Sequence, residues 1–231
     1  AESLALAGLG AHVVVQDIRA EFADETAQKI VDAGGSAETL VCDVADLDTV
    51  MAAIAGFEAA GRGLDILINN AGMGGGQVLE DVTREHFDQM FAVNVRAPFF
   101  LAQAVVPGMK QRTWGRIVNI SSVVAVKGWP DNSHYVGTKA AVIGFSRAWA
   151  LELAPHGITA NSVCPTMTAT EMATNSMTAA ELDAFAQTNP TKRLAIPDDI
   201  ANVVAFLCSP ASGFITGQTI SPSGGSFVGA M

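Results

Sequence analysis

The chain has 231 residues, 49% of them apolar, with a formal net charge of −10. That is enough apolar mass for one α/β domain, and no linker, repeat or charge block divides it. The acidity excludes a nucleic-acid partner, because no Lys/Arg cluster is available to release counterions, and no apolar run reaches the ~18 residues that would cross a bilayer. Ala1-Glu2-Ser3 lacks a basic signal-peptide start, so a soluble, cytoplasmic protein is expected.

The chain opens with a helical stretch over 3–9, ended by Gly8 and Gly10, and enters a strand at once. Short β-branched runs then alternate with longer helical patterns. Strands are expected at 11–17, 37–43, 65–70, 115–122, 158–164 and 217–221, and helices at 21–33, 47–60, 82–110, 135–154 and 197–208. This alternation predicts a doubly wound parallel α/β sheet of the Rossmann type, covered by helices on both faces. In that fold a first strand and a glycine-rich turn precede the first helix, the turn's amides facing a pyrophosphate. Both are absent from this chain, so the sheet is expected to lack a central strand, with ~20 to 25 upstream residues unaccounted for.

Cys42, Cys164 and Cys208 are an odd set in apolar segments and read as buried free thiols of a reducing compartment. His12, His86, His134 and His156 are scattered, without metal-ligand spacing, so no metal is expected.

Tyr135 is the chain's single tyrosine, and Lys139 follows it by one helical turn, on the same face. A tyrosine that moves protons near neutrality needs its pKa lowered by about three units from ~10, or roughly 4 kcal/mol. A cation ~4 to 5 Å away at an effective dielectric of ~20 supplies about 3 to 4 kcal/mol. Taken alone the pair proves little: with five lysines in 231 residues, a lysine at a fixed offset arises by chance about once in 46.

The joint pattern is more specific. Asn69-Asn70-Ala71-Gly72, then Asn94-Val95, Ser122, Tyr135-Val136-Gly137-Thr138-Lys139 and Pro165, in this order and spacing, resembles the short-chain dehydrogenase/reductase family over residues 1–225. The resemblance implies an NAD-dependent oxidoreductase interconverting a secondary alcohol and a ketone. Tyr135 would be the general acid/base. Lys139 would lower its pKa and bind the nicotinamide ribose, Ser122 would hold the substrate oxygen, and Asn94 would anchor a water joining Lys139 to solvent.

For the cofactor, Asp17 at the end of the first strand, followed by Ile18, would accept from the ribose hydroxyls and repel a 2′-phosphate, favouring NAD. Arg19 keeps NADP open. Asp43-Val44 would face adenine, and Asn70, Ala71 and Gly72 would let the backbone approach the cofactor. Pro165, Thr166, Thr168 and Thr170 would wrap the nicotinamide end. Thr166 departs from the glycine usual after this proline, and its β-branch narrows the site.

The stretch 167–195 would be a lid, with Met172 on an apolar substrate pocket shared with Val124, Trp129 and His134; a structural role for His134 fits equally. The long helices carry Phe99, Phe100, Val105, Val142, Phe145 and Trp149, more apolar residues than one sheet can cover, which together with the resemblance implies a homotetramer. Enoyl-reducing relatives space tyrosine and lysine further apart, and dehalogenase-like relatives replace the lysine with arginine, so Lys139 disfavours both. The alternative of a different class is a non-catalytic dinucleotide sensor or scaffold.

Overall fold

The computed structural model of the chain describes residues 1–170 and 177–229. Its strands are β1 His12–Asp17, β2 Ser36–Val41, β3 Ile66–Asn69, β4 Gly115–Ile120, β5 Ile158–Val163 and β6 Thr219–Ile220. All their pairings are parallel. They form two sheets among the described residues: β1 pairs with β2, and β3-β4-β5-β6 run in that order. The parting lies between β1 and β3, where a doubly wound order seats one more strand. Exposure records it. Strand β5 is buried along its whole length and β4 along all but its last residue, whereas β1 and β3 are mostly half-buried. A parallel strand covered on both faces should be buried throughout.

The helices are α1 Glu2–Gly8, α2 Ala20–Asp32, α3 Leu47–Ala59, α4 Arg84–Phe91, α5 Ala97–Arg112, α6 Val124–Lys127, α7 Ser133–Leu153, α8 Ala179–Thr188 and α9 Pro197–Cys208. A π-helical turn, Ala92–Arg96, joins α4 to α5. Local chemistry sets several starts. The Asp46 carboxylate accepts the Thr49 N–H at 3.3 Å, and the Thr83 hydroxyl accepts from His86 N–H at 3.2 Å. Thr178 and Glu181 form a reciprocal capping box on α8.

One face of the four-stranded sheet is covered by α3, α5 and α7, where Val50, Ile54, Val105, Met109, Trp149 and Leu153 pack on Ile117, Ile158 and Ala160. On the other face Leu6 of α1 and Ile200, Val204 and Leu207 of α9 pack on Val118 and Val163. Val13 of β1 joins that second cluster beside Ile66 and Ile68 of β3, so apolar packing crosses the parting where no ladder does. Against the expectation that no stretch reaches the length of a bilayer span, Arg84–Arg112 is long and apolar enough to cross a membrane by length and composition alone, because α4, the π turn and α5 run on as one helix. Within this fold its Met90, Ala97, Ala102, Val105 and Met109 are buried in the protein. The three cysteines are free and buried, as expected.

Candidate active site

The residues singled out from the sequence gather where the strands end. Ser122 lies just beyond β4, Tyr135 and Lys139 lie on the first turns of α7, Asn94 lies in the π turn, and Asn70 to Gly72 leave β3. Carboxyl ends of parallel strands, flanked by helix starts, are where open α/β sheets carry their ligands.

Lys139 is 6% exposed and donates from Nζ to the Ile120 carbonyl at 2.9 Å. Its own carbonyl accepts from the Ser121 hydroxyl at 2.6 Å, which fastens α7 to the end of β4. Burial lowers the lysine pKa to about 8. Here the structure corrects the sequence argument. The phenol of Tyr135 is shifted upward, by burial, with hydrogen bonding from Ser122 acting the other way. Lys139 shares the helix face, with Nζ 5.8 Å from the Tyr135 ring centre, yet it is committed to the Ile120 carbonyl and is not among the causes that lower the phenol.

Asn94 is 2% exposed. Its Oδ1 accepts the Met73 N–H at 2.7 Å, and its Nδ2 donates to the Met73 carbonyl at 2.9 Å and to Thr138 Oγ1 at 3.1 Å. The side chain is thus a clamp between the exit of β3 and α7. Thr138 was passed over in the sequence, although a threonine one turn after the tyrosine can bond back to the Tyr135 carbonyl, as it does at 2.8 Å. Gly72 borders both groups. A Cβ built on it would lie 3.3 Å from Lys139 Nζ and 3.4 Å from Asn94 Oδ1, so a side chain here would press on the lysine and the asparagine.

Asp17 ends β1, and its Oδ1 accepts the Arg19 N–H at 2.9 Å, while Ile18 is exposed. The Arg19 guanidinium stacks over the Phe22 ring at 3.4 Å. Asp43 is exposed and holds the Ala45 N–H at 2.8 Å, with Val44 buried beside it. These carboxylates, the exposed backbone at Asn70, Ala71 and Gly72, and the space kept clear by Gly72 beside Lys139 suit a dinucleotide lying across the strand ends.

Beyond β5, the Pro165 carbonyl accepts from Val123 N–H at 3.1 Å. Thr166 is buried, accepts from the Ser226 hydroxyl at 3.1 Å, and lines a polar cavity of about 170 Å³ with Asn189, Thr191 and Ser223. Thr168 donates to the Thr166 carbonyl at 3.0 Å and pairs with Ala195, and Thr170 N–H bonds back to the Thr168 carbonyl at 2.8 Å.

Of the expected pocket residues, Val124 is half-buried on α6, and Trp129 is 46% exposed with its ring 6.5 Å from Phe185 of α8. His134 does not join them on an open surface. It is 4% exposed, meets His86 edge-on at 5.2 Å, and has its pKa lowered by burial and then by His86. Met172 lies outside the described residues.

A family model described as "Enoyl-(Acyl carrier protein) reductase" matches residues 1–226. The 3-oxoacyl-(acyl-carrier-protein) reductase FabG of Thermotoga maritima is 34% identical over 225 residues, 97% of this chain and 91% of that one. The acetoacetyl-CoA reductase of Cupriavidus necator is 39% identical over 187 residues, 81% of this chain and 76% of its own. Among solved structures, a gluconate 5-dehydrogenase from Burkholderia cenocepacia in complex with NADP and tartrate superposes with a TM-score of 0.91 at 34% identity, covering 97% of this chain and 89% of that one. The alternative of a non-catalytic sensor is overturned by these matches, which are to reductases and a dehydrogenase.

Proposed function

Because the chain belongs to the short-chain dehydrogenase/reductase family, and so is an oxidoreductase using a nicotinamide dinucleotide, we propose that it interconverts a secondary alcohol and a ketone with Tyr135 as general acid/base. The convergence of Ser122, Tyr135, Lys139 and Asn94 from β4, α7 and the π turn carries this reading. The nicotinamide, when bound, supplies or takes the hydride.

The protein's part is proton handling and placement. Ser122 holds the substrate oxygen against the phenol. Tyr135, its pKa raised by burial, is protonated across the neutral range and so carries the proton a carbonyl oxygen takes in the reducing direction. Lys139, with its pKa near 8, is mostly charged at neutral pH and favours negative charge developing on that oxygen. Asn94 anchors the solvent path to Lys139. The family description names enoyl reduction, but the four-residue Tyr135–Lys139 spacing and the named relatives favour a carbonyl substrate. Val124 and Trp129 give it an apolar wall, and the Phe185 ring of α8, 6.5 Å from Trp129, supports a lid on that side.

NAD is the cofactor that Asp17 favours, since its carboxylate suits the ribose hydroxyls and its charge opposes a 2′-phosphate. NADP is the second reading, favoured by the exposed Arg19 and by the NADP in the related gluconate 5-dehydrogenase. The ratio of kcat/KM for NADH and NADPH decides between them, and Asp17→Ala shifts that ratio towards NADPH if the carboxylate is the discriminator. A homotetramer is supported by the aromatic cluster of Phe99, Phe100, Phe145 and Trp149 on α5 and α7, with Phe99 39% exposed. A stable monomer in sedimentation at micromolar concentration would refute it.

The chemistry is tested by Tyr135→Phe. Turnover should fall by about a thousandfold or more, while cofactor affinity stays within about threefold. A variant that kept most of its turnover would end the proposal.

A further inference from the structure

We propose that Thr138 is a positioning residue for the proton-transferring tyrosine, acting through a hydrogen-bonded chain that joins the exit of β3 to the first turns of α7. The inference rests on the reading of Tyr135 as the proton donor. Thr138 is fully buried, and its hydroxyl has two partners. It donates to the Tyr135 carbonyl at 2.8 Å, one turn back on its own helix, and accepts from Asn94 Nδ2 at 3.1 Å, from a different element.

Asn94 spends its other N–H on the Met73 carbonyl and takes the Met73 N–H on Oδ1. Met73 directly follows Gly72, whose backbone faces Lys139 Nζ and Asn94 Oδ1. The chain therefore runs from the glycine turn, through Asn94, to the helical turn that bears the phenol.

Two features separate this from an ordinary buried threonine. A threonine in a helix commonly bonds back to a carbonyl on its own helix, which needs no second element. Here the hydroxyl's acceptor lone pair is also used, by an amide in the π turn. Asn94 sits at the centre of that turn, where the main-chain pattern slips from the α-helical one and π turns are frequently tied to function. Both N–H groups of the amide are occupied, and Thr138 is the acceptor that fixes which way the amide faces. Without the hydroxyl, a buried N–H of Asn94 has no acceptor and must turn away, releasing the clamp on the Tyr135 turn.

The test uses the full chain and compares Thr138→Val, which keeps the shape and removes the hydroxyl, with Thr138→Ser, which keeps the hydroxyl. Thr138→Val should lower kcat by about tenfold to a hundredfold, the loss expected for a misplaced reacting group, with KM for the cofactor within about twofold of the parent. Thr138→Ser should stay within about threefold of the parent kcat.

A second readout needs no turnover. Tyr135 is the only tyrosine, so phenolate absorbance during an alkaline titration follows that residue alone. Thr138→Val should shift the titration midpoint as the turn that bears the phenol loses its hold on Asn94, and Thr138→Ser should restore it. If Thr138→Val does not fold, Thr138→Ala against Thr138→Ser makes the same comparison. Full kcat together with an unmoved titration in the hydroxyl-free variant overturns the positioning role and leaves the acid/base role standing. Retained turnover in Tyr135→Phe removes the acid/base reading itself.

Discussion

Replacing Lys139 by methionine should stabilise the protein near neutral pH and lose that advantage in alkali. The lysine is buried, and its pKa falls from 10.5 to about 8, chiefly through desolvation. A fall of about 2.5 units weighs roughly 3 kcal/mol against the folded state wherever the lysine is charged both folded and unfolded. Methionine keeps the stem and removes the charge, but the Ile120 carbonyl loses a donor now held at 2.9 Å, a loss of about 1 kcal/mol. The variant should therefore be more stable by roughly 2 kcal/mol at about pH 7.

The direction with pH follows from linkage. A lysine whose folded pKa is depressed leaves the unfolded chain holding the proton between the two values, so parent stability rises with pH between about 8 and about 10.5. By about pH 9.5 roughly 2 kcal/mol of the penalty has gone, and the variant should be no more stable than the parent. Tyr135, shifted upward by burial, is present in both proteins, so to first order it cancels from the difference. Urea unfolding of both proteins at the two pH values, with equal m-values, reads the effect directly. A stability difference that stays constant within about 0.5 kcal/mol between them would refute a buried, depressed lysine. Turnover should be lost in the same variant, since the charge that destabilises the fold is the one the site uses.

Gly72→Ala places a methyl 3.3 Å from Lys139 Nζ and 3.4 Å from Asn94 Oδ1. Each must yield by a few tenths of an ångström, so cofactor affinity should drop by about tenfold while thermal stability changes by only a few degrees. Calorimetric titration with cofactor checks this, and an unchanged affinity would mean that the backbone at Gly72 is not where the cofactor lies.

Asn119→Ala cuts a buried chain in which Asn69 Nδ2 donates to Asn119 Oδ1 at 2.7 Å and Asn119 Nδ2 donates to Ser146 Oγ at 2.8 Å. Both asparagines are at most 7% exposed, so the loss should be about 3 kcal/mol, and a denaturation midpoint moved by less than a third of that would show the chain to be dispensable.

The alternation of strands and helices was legible because apolar periodicity reports which face of an element is covered, and the boundaries of β1, β3, β4 and β5 fall within two residues of expectation. The π turn was not legible. Ala92-Val93-Asn94-Val95-Arg96 has ordinary helical composition, and a local slip of register leaves no mark on a periodicity averaged over turns. Strand β6 proved shorter than the expected 217–221, with two residues paired to β5. Just before it the Asn161 side chain takes the Gln218 N–H and donates to the Ile215 carbonyl, beside main-chain bonds from Ser162 N–H to the Gln218 carbonyl and from Gly217 N–H to the Ala160 carbonyl. Helix α8 carried a readable capping box at Thr178 and Glu181, hidden within a segment read as a lid. For Lys139, spacing told which face it shared with Tyr135 but not where Nζ would end. That was settled by the Ile120 carbonyl, 19 residues away in sequence.

The proposed chemistry and the proposed cofactor selectivity lie at the ends of different strands. Ser122, Tyr135 and Lys139 belong with β4 and α7 in the four-stranded sheet, whereas Asp17 and Asp43 follow β1 and β2 in the two-stranded one. Among the described residues, side chains reach from one to the other. Leu6 and Val13 pack with Ile66 and Ile68, and Arg96 donates to the Ala45 carbonyl at 3.1 Å. Arg96 closes the same π turn that carries Asn94. That turn therefore meets the glycine turn and α7 through Asn94 and the adenine-side loop through Arg96, so a cofactor lying across both sheets would act on one element from both ends. Mutations at Asp17 that weaken cofactor binding should on this account disturb kcat less than mutations in the π turn, because only the turn touches the catalytic helix as well.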